Sequence, residues 1–100
     1  MSDCLLCRAE RLTEWFFEDD ECWIAECTIC ATPMVVWKVH DPRPDDEVKA
    51  RLHARLADVV AGAFVDFAHY VDDHMRQIPD HYHAHARPVG GFFGHDLQRR

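Results

Sequence analysis

The sequence predicts an α+β domain, an antiparallel sheet with one main helix packed across it. Three observations predict it. Short β-rich runs fill the chain up to His40, the apolar period becomes helical after Asp45, and an alternating His81-Tyr82-His83-Ala84-His85 segment follows the helix. One hundred residues make a single domain, expected over 1–100 with a loose tail from about residue 90.

The elements are justified in chain order. Cys4-Leu5-Leu6-Cys7, followed by Arg8 to Leu12, predicts a knuckle and a helical turn. Thr13 to Phe17 and Cys22 to Cys27 are β-rich runs around Glu18-Asp19-Asp20-Glu21, which predicts a hairpin with a solvated acidic tip. Pro33 to His40 is apolar and β-branched enough for a buried strand, and Asp41-Pro42-Arg43-Pro44 ends it by locking φ and removing donors. From Asp45 onward, Val48, Leu52, Leu56, Val59, Val60, Ala63 and Phe64 share one helical stripe. Asp45, Asp46 and Glu47 fall in its first turn, where the helix dipole favours anions, and Pro44 suits its start. Phe64 to Val71 holds the descent into a further strand, and Gly90, Gly91 and Gly94 mark the tail.

Composition narrows the function. An apolar fraction of 48% with 11% aromatics is that of a globular chain. A formal charge of -7 without a basic face argues against nucleic-acid binding, which rests on clustered Lys and Arg. Protonating all eight histidines would bring that charge to about +1, so solubility and metal affinity are expected to change steeply between about pH 7 and 5. The first residues carry no basic-then-apolar leader and no apolar run is long enough for a membrane span, so a cytoplasmic protein without membrane contact is expected.

Four of the five cysteines fall in two Cys-x-x-Cys pairs, a pattern that fits metal better than a disulfide framework. Cys22, the fifth, reads as a small buried hydrophobe. Two metal readings compete. Cys4, Cys7, Cys27 and Cys30 have the spacing of a four-cysteine zinc ribbon, whereas His40 and His81 offer a formally neutral Cys₂His₂ set with Cys4 and Cys7. In the histidine segment, His81, His83 and His85 would share one strand face at about 7 Å spacing. Imidazoles so arranged suit metal binding or group transfer, and the apolar alternates and closing Arg87-Pro88 distinguish them from a contiguous tag.

The order of these features resembles the histidine triad (HIT) superfamily, in particular its zinc-carrying bacterial hydrolases and the related galactose-phosphate uridylyltransferases. The matching stretches are Cys4-Leu5-Leu6-Cys7, Phe17 to Glu21, Met34 to His40 with its Lys38-Val39-His40, and Gln77-Ile78-Pro79-Asp80-His81-Tyr82-His83-Ala84-His85 with Pro88 behind. They span about residues 4 to 94. The resemblance implies a HIT-like fold with an N-terminal zinc knuckle, Zn²⁺ held by Cys4, Cys7, His40 and His81, and His83 as a nucleophile that takes up a nucleotidyl group. It implies that His85 helps to hold substrate phosphate, and that the protein is a nucleotide-binding hydrolase or transferase acting on a nucleoside phosphate or phosphoramidate, commonly a dimer. Thr32 stands where the family has a fourth histidine, Arg76 where it has a glycine before the glutamine, and Ile78 where a small or hydroxyl residue follows it. The alternative expectation is a non-catalytic zinc-stabilised binding module of HIT-like or zinc-ribbon type.

The remaining candidates have plainer expectations. Cys27 and Cys30 could form a second metal site, substitute for His40 and His81 or be buried thiols, with a local structural role expected, and Trp15, Trp23 and Trp37 are expected to be core residues. His53 is expected to be solvated, His74 to lie near the triad, and Asp72 and Asp73 to occupy an exposed turn. His69 and His95 have no partner at a telling spacing.

Overall fold

A computed structural model describes residues 4–9, 11–28, 30–75, 77–89 and 98–99. Gly90, Gly91, Gly94, His95 and Arg76 lie outside the described residues. A short helix α1 (Leu5–Arg8) precedes the hairpin strands β1 (Trp15–Glu18) and β2 (Cys22–Glu26), then β3 (Pro33–Trp37). The long helix α2 (Asp46–Ala63) leads to β4 (His69–Asp72) and β5 (His83–Pro88). The strands form one antiparallel sheet in the order β1-β2-β3-β5-β4, so β5 returns to the centre beside β3. This is the α+β architecture expected, with one main helix.

Helix α2 forms where the apolar period predicts it. Asp45 caps it, its carboxylate accepting the Val48 N–H at 2.9 Å, and Asp46 and Glu47 occupy the positive end of the dipole. Leu52, Leu56 and Val60, one turn apart, are the buried residues of its inner face. They pack on Cys22, Ile24, Val35, Tyr82, Ala84 and Ala86, which alternate out of β2, β3 and the β5 segment on one side of the sheet. Burial pushes the Cys22 thiol up to about 12, so this cysteine is an inert core residue, as expected.

The opposite sheet face is a second apolar layer. Trp23, Ala25, Met34 and Val36 meet Leu6, Cys27 and Cys30 there. Pairing of Val36 with His83 and of Met34 with His85 places two of the three triad histidines on this face, away from α2. The alternation read from the sequence is therefore real, although β5 begins only at His83 and His81 lies just before it.

Three expectations need correction. The acidic hairpin tip is not simply solvated. Glu21 accepts Arg51 at 2.8 Å and also pairs with Arg55, while Asp19 caps the turn through the Glu21 and Cys22 N–H groups and pairs with Arg55 at 2.8 Å. The helix thus grips the hairpin. His53 is half-buried, 2.8 Å from the Tyr82 hydroxyl, rather than solvated. Strand β3 ends at Trp37, three residues before His40, because the chain leaves the sheet and turns toward the N-terminal knuckle. At the C-terminus, Gln98 and Arg99 are held: the Gln98 carbonyl accepts the Val65 N–H at 2.9 Å, and Arg99 pairs with Glu14 and covers the Phe16 and Phe64 rings.

Candidate metal centre and histidine cleft

The N-terminal cysteines sit in a tight turn. Its backbone closes by a 3.2 Å bond from the Arg8 N–H to the Cys4 carbonyl, and Ala9 follows in the left-handed region at φ 48°. This turn faces the end of β3 and the start of the triad. Cys7 Sγ lies 3.0 Å from His40 Nδ1 and 3.3 Å from His81 Nδ1, Cys4 Sγ lies 3.4 Å from His81 Nδ1, and the two Nδ1 atoms are 3.2 Å apart. All four donor atoms lie within 4.8 Å of one another. A tetrahedral ion with Zn–N near 2.05 Å and Zn–S near 2.3 Å has N···N edges of about 3.3 Å and S···N edges of about 3.6 Å. The donor set therefore fits a small tetrahedral metal ion, slightly contracted.

The tautomers also fit. His81 Nε2 is 2.6 Å from the Trp37 carbonyl, which can only accept, so Nε2 carries the proton and Nδ1 presents its lone pair to the cysteines. His40 Nε2 lies 3.5 Å from the Asp80 carboxylate, which orients that ring in the same sense. Burial holds the His81 imidazole below its ordinary range, favouring the neutral form that a metal requires. The residues that the resemblance pointed to are thus brought together, and the four-cysteine alternative is not: Cys27 and Cys30 group elsewhere.

The cleft-facing side of the sheet holds the rest of the triad. A cleft of about 450 Å³ is lined by His83, His85, Arg87, Cys27, Cys30 and the tryptophan pair Trp15 and Trp23, with apolar walls from Leu6, Met34 and Ile78. Trp15 and Trp23 stack with ring centroids 4.6 Å apart and planes 8° from parallel. These two rings belong to the core, as expected, and to the cleft as well. His83 Nδ1 is 2.8 Å from the His81 carbonyl, so this nitrogen carries a proton, and in the neutral ring Nε2 is the nitrogen with the lone pair. His83 is buried, 6% exposed.

His85 lines the cleft beside His83 and has cysteine neighbours as well. It lies against Cys27 and Cys30, the three donor atoms within 4.8 Å of one another. Burial pushes its imidazole down to about 4, so it is neutral at pH 7. The Cys30 thiol is held well below the ordinary thiol range, first by its hydrogen bond with Cys27 and then by the Thr32 hydroxyl, 2.9 Å away. Thr32 is buried and serves this sulfur. Arg87 lines the same cleft and pairs with Asp72 at 2.6 Å, so Asp72 is engaged in a β4–β5 ion pair rather than standing in an open turn. Asp73 accepts the Tyr82 hydroxyl at 2.9 Å. His74 lines the cleft from its rim.

The grouping of His85 with the second Cys-x-x-Cys is the feature that sequence reasoning missed. Its one visible signal was the repeated Cys-x-x-Cys spacing. Among the described residues, no helix is long and apolar enough to cross a membrane. No protein-family model, curated protein or solved structure matches the chain.

Proposed function

We propose that this chain is a zinc-stabilised HIT-like domain that binds a nucleoside phosphate or phosphoramidate in the cleft and transfers its nucleotidyl group through His83. The observation that carries the reading is the bond from His83 Nδ1–H to the His81 carbonyl at 2.8 Å, in a side chain that lines the cleft. In the neutral ring it makes Nε2 the nucleophilic nitrogen without need of a separate base. In the first step the Nε2 lone pair forms a bond to phosphorus, while the bond from phosphorus to the leaving amine or phosphate breaks and the leaving group departs with the electron pair and takes a proton from water. In the second step water displaces Nε2 from phosphorus and releases the nucleoside monophosphate, or an acceptor hydroxyl does so in transfer.

Zinc at Cys4, Cys7, His40 and His81 would supply rigidity: it would anchor the residue two positions before the nucleophile. Arg87 offers positive charge to an anionic ligand, and the stacked Trp15 and Trp23 offer a planar apolar wall to a base. A homodimer is part of this proposal through the resemblance and is read by light scattering.

The test is turnover of adenosine and guanosine phosphoramidates and a sugar nucleotide at neutral pH. His83→Ala is expected to abolish turnover while zinc content stays at the wild-type level. A second reading, the non-catalytic zinc-stabilised binding module, is favoured by the apolar share of the cleft wall, Leu6, Trp23, Met34 and Ile78. Ligand-induced change of Trp15 and Trp23 fluorescence without turnover supports that module. Wild-type protein that neither turns over nor binds any member of the panel sinks the nucleotide reading.

A further inference from the structure

The strand that presents His83 contributes one residue, His85, to a second set of metal donors that the proposed function does not require. Cys27, Cys30 and His85 each offer one ligand atom, and the three lie within 4.8 Å of one another. Both cysteines are buried, 8% and 5% exposed. They come from the turn between β2 and β3, and His85 reaches them because β5 pairs with β3 at Met34.

The turn itself is built like the N-terminal knuckle. The Ala31 N–H donates to the Cys27 carbonyl at 3.0 Å, as the Arg8 N–H donates to the Cys4 carbonyl at 3.2 Å. Each turn then passes through an alanine in the left-handed region, Ala31 at φ 58° and Ala9 at φ 48°. The difference between the two groups lies in the fourth donor. Among the described residues the N-terminal group has four protein donors, whereas this one has three, and all three line the cleft with His83.

We propose that Cys27, Cys30 and His85 hold a second zinc ion whose fourth coordination position opens into the cleft beside His83 and takes an exchangeable oxygen donor, water at rest and a phosphate oxygen when an anionic ligand is bound. Two thiolates, one neutral imidazole and a dication sum to no net charge, which a buried apolar wall accommodates. Structural zinc sites close with four protein ligands, and sites that meet a ligand keep three. The Thr32 hydroxyl, 2.9 Å from Cys30 Sγ, holds that sulfur in place from behind. The triad is thereby divided: His81 serves one metal, His85 the other, and His83 faces the cleft between them.

Anomalous scattering at the zinc edge, with metal analysis of zinc-supplied reduced protein, tests the site on the wild-type chain. Two ions per chain are expected, the second among Cys27, Cys30 and His85. His85→Ala and the double variant Cys27→Ser/Cys30→Ser should each retain one ion, at the N-terminal group. In cobalt-substituted protein, inorganic phosphate should shift the visible bands in the wild type and leave His85→Ala unchanged. A single zinc in the wild-type chain overturns the proposal, as does a second ion that persists in His85→Ala. A second ion whose cobalt spectrum ignores phosphate overturns the open position. One ion with normal nucleotide turnover would sink this site alone, and two ions without turnover or binding would sink the nucleotide reading alone.

Discussion

The backbone carbonyl of Trp37 accepts the Nε2 proton of His81 at 2.6 Å, and that contact decides which nitrogen of His81 faces Cys4 and Cys7. The other tautomer, with its proton on Nδ1, would present N–H to the sulfurs and could not bind a metal ion through that nitrogen. The donor group is therefore prepared by the end of β3 as much as by the cysteines.

Zinc removal should destabilise the domain strongly. At free zinc a thousandfold above its Kd, binding to the folded state contributes about 4 kcal/mol. Excess chelator should accordingly lower Tm by more than about 15 °C in a chain of this size. Calorimetry with and without chelator checks this, and Cys4→Ser/Cys7→Ser should remove most of the difference. An unchanged Tm after verified zinc loss would refute the stabilising role.

Tyr82 is the middle of a directed chain. Its hydroxyl donates to Asp73 at 2.9 Å, so at the 2.8 Å contact with His53 the imidazole Nε2 must be the donor. Burial holds His53 below its ordinary range, consistent with a neutral ring that donates from one nitrogen. Tyr82→Phe leaves the half-buried His53 donor without this acceptor and should cost about 1–2 kcal/mol in urea unfolding. His53→Ala should relieve much of that penalty in the double variant, and strict additivity would contradict the coupling.

The grip of α2 on the hairpin gives a pH signature. Arg51 and Arg55 hold the Glu21 carboxyl down to about 2, against an ordinary value of 4.5. The folded state thus prefers the carboxylate, and this contribution is complete above 4.5 and lost as pH falls toward about 2. Glu21→Gln should lower stability at pH 6 by about 1 kcal/mol or less, as befits a partly exposed network. The gap between wild type and variant, both measured in chelator at low salt, should narrow below about pH 4.5. A gap that stays constant to pH 2.5 would assign the effect to packing instead.

Leu56 is fully buried at the centre of the helix–sheet interface. Leu56→Ala should cost about 2–5 kcal/mol, with zinc content retained if the knuckle and the helix layer are independent. Loss of zinc together with the core would show that the two faces of the sheet unfold as one unit.

The elements read most securely from the sequence are those specified locally. The acidic start of α2 and the spacing of Leu52, Leu56 and Val60 need only helix geometry, and both were legible, although Asp45 was read as part of the first turn and is its cap. The alternation of His83 and His85 likewise follows from strand geometry. What was not legible depends on partners far along the chain. Glu21 looked like a solvated tip because Arg51 and Arg55 lie 30 and 34 positions later. His53 looked exposed because Tyr82 is 29 positions away. The grouping of His85 with Cys27 and Cys30 requires the Met34–His85 register, which no local periodicity encodes. The four-residue group at Cys4, Cys7, His40 and His81 was anticipated through the resemblance, while the residues alone left it open against a four-cysteine site.

The N-terminal donor group joins positions that are 33, 41 and 77 residues apart along the chain. An ion bound there acts on the chain as a three-way cross-link, fastening the first residues, the exit of β3 and the approach to β5 at one point. Each doubling of a flexible loop adds only about 0.6 kcal/mol to its closure, so one small ion can fasten even the longest of these spans at little extra entropic cost. The order in which this polypeptide gains its distant contacts would then be open to control by metal supply: ligation draws Cys4 and Cys7 to His81, and the central strand pair β3–β5 is adjacent to the knot that results.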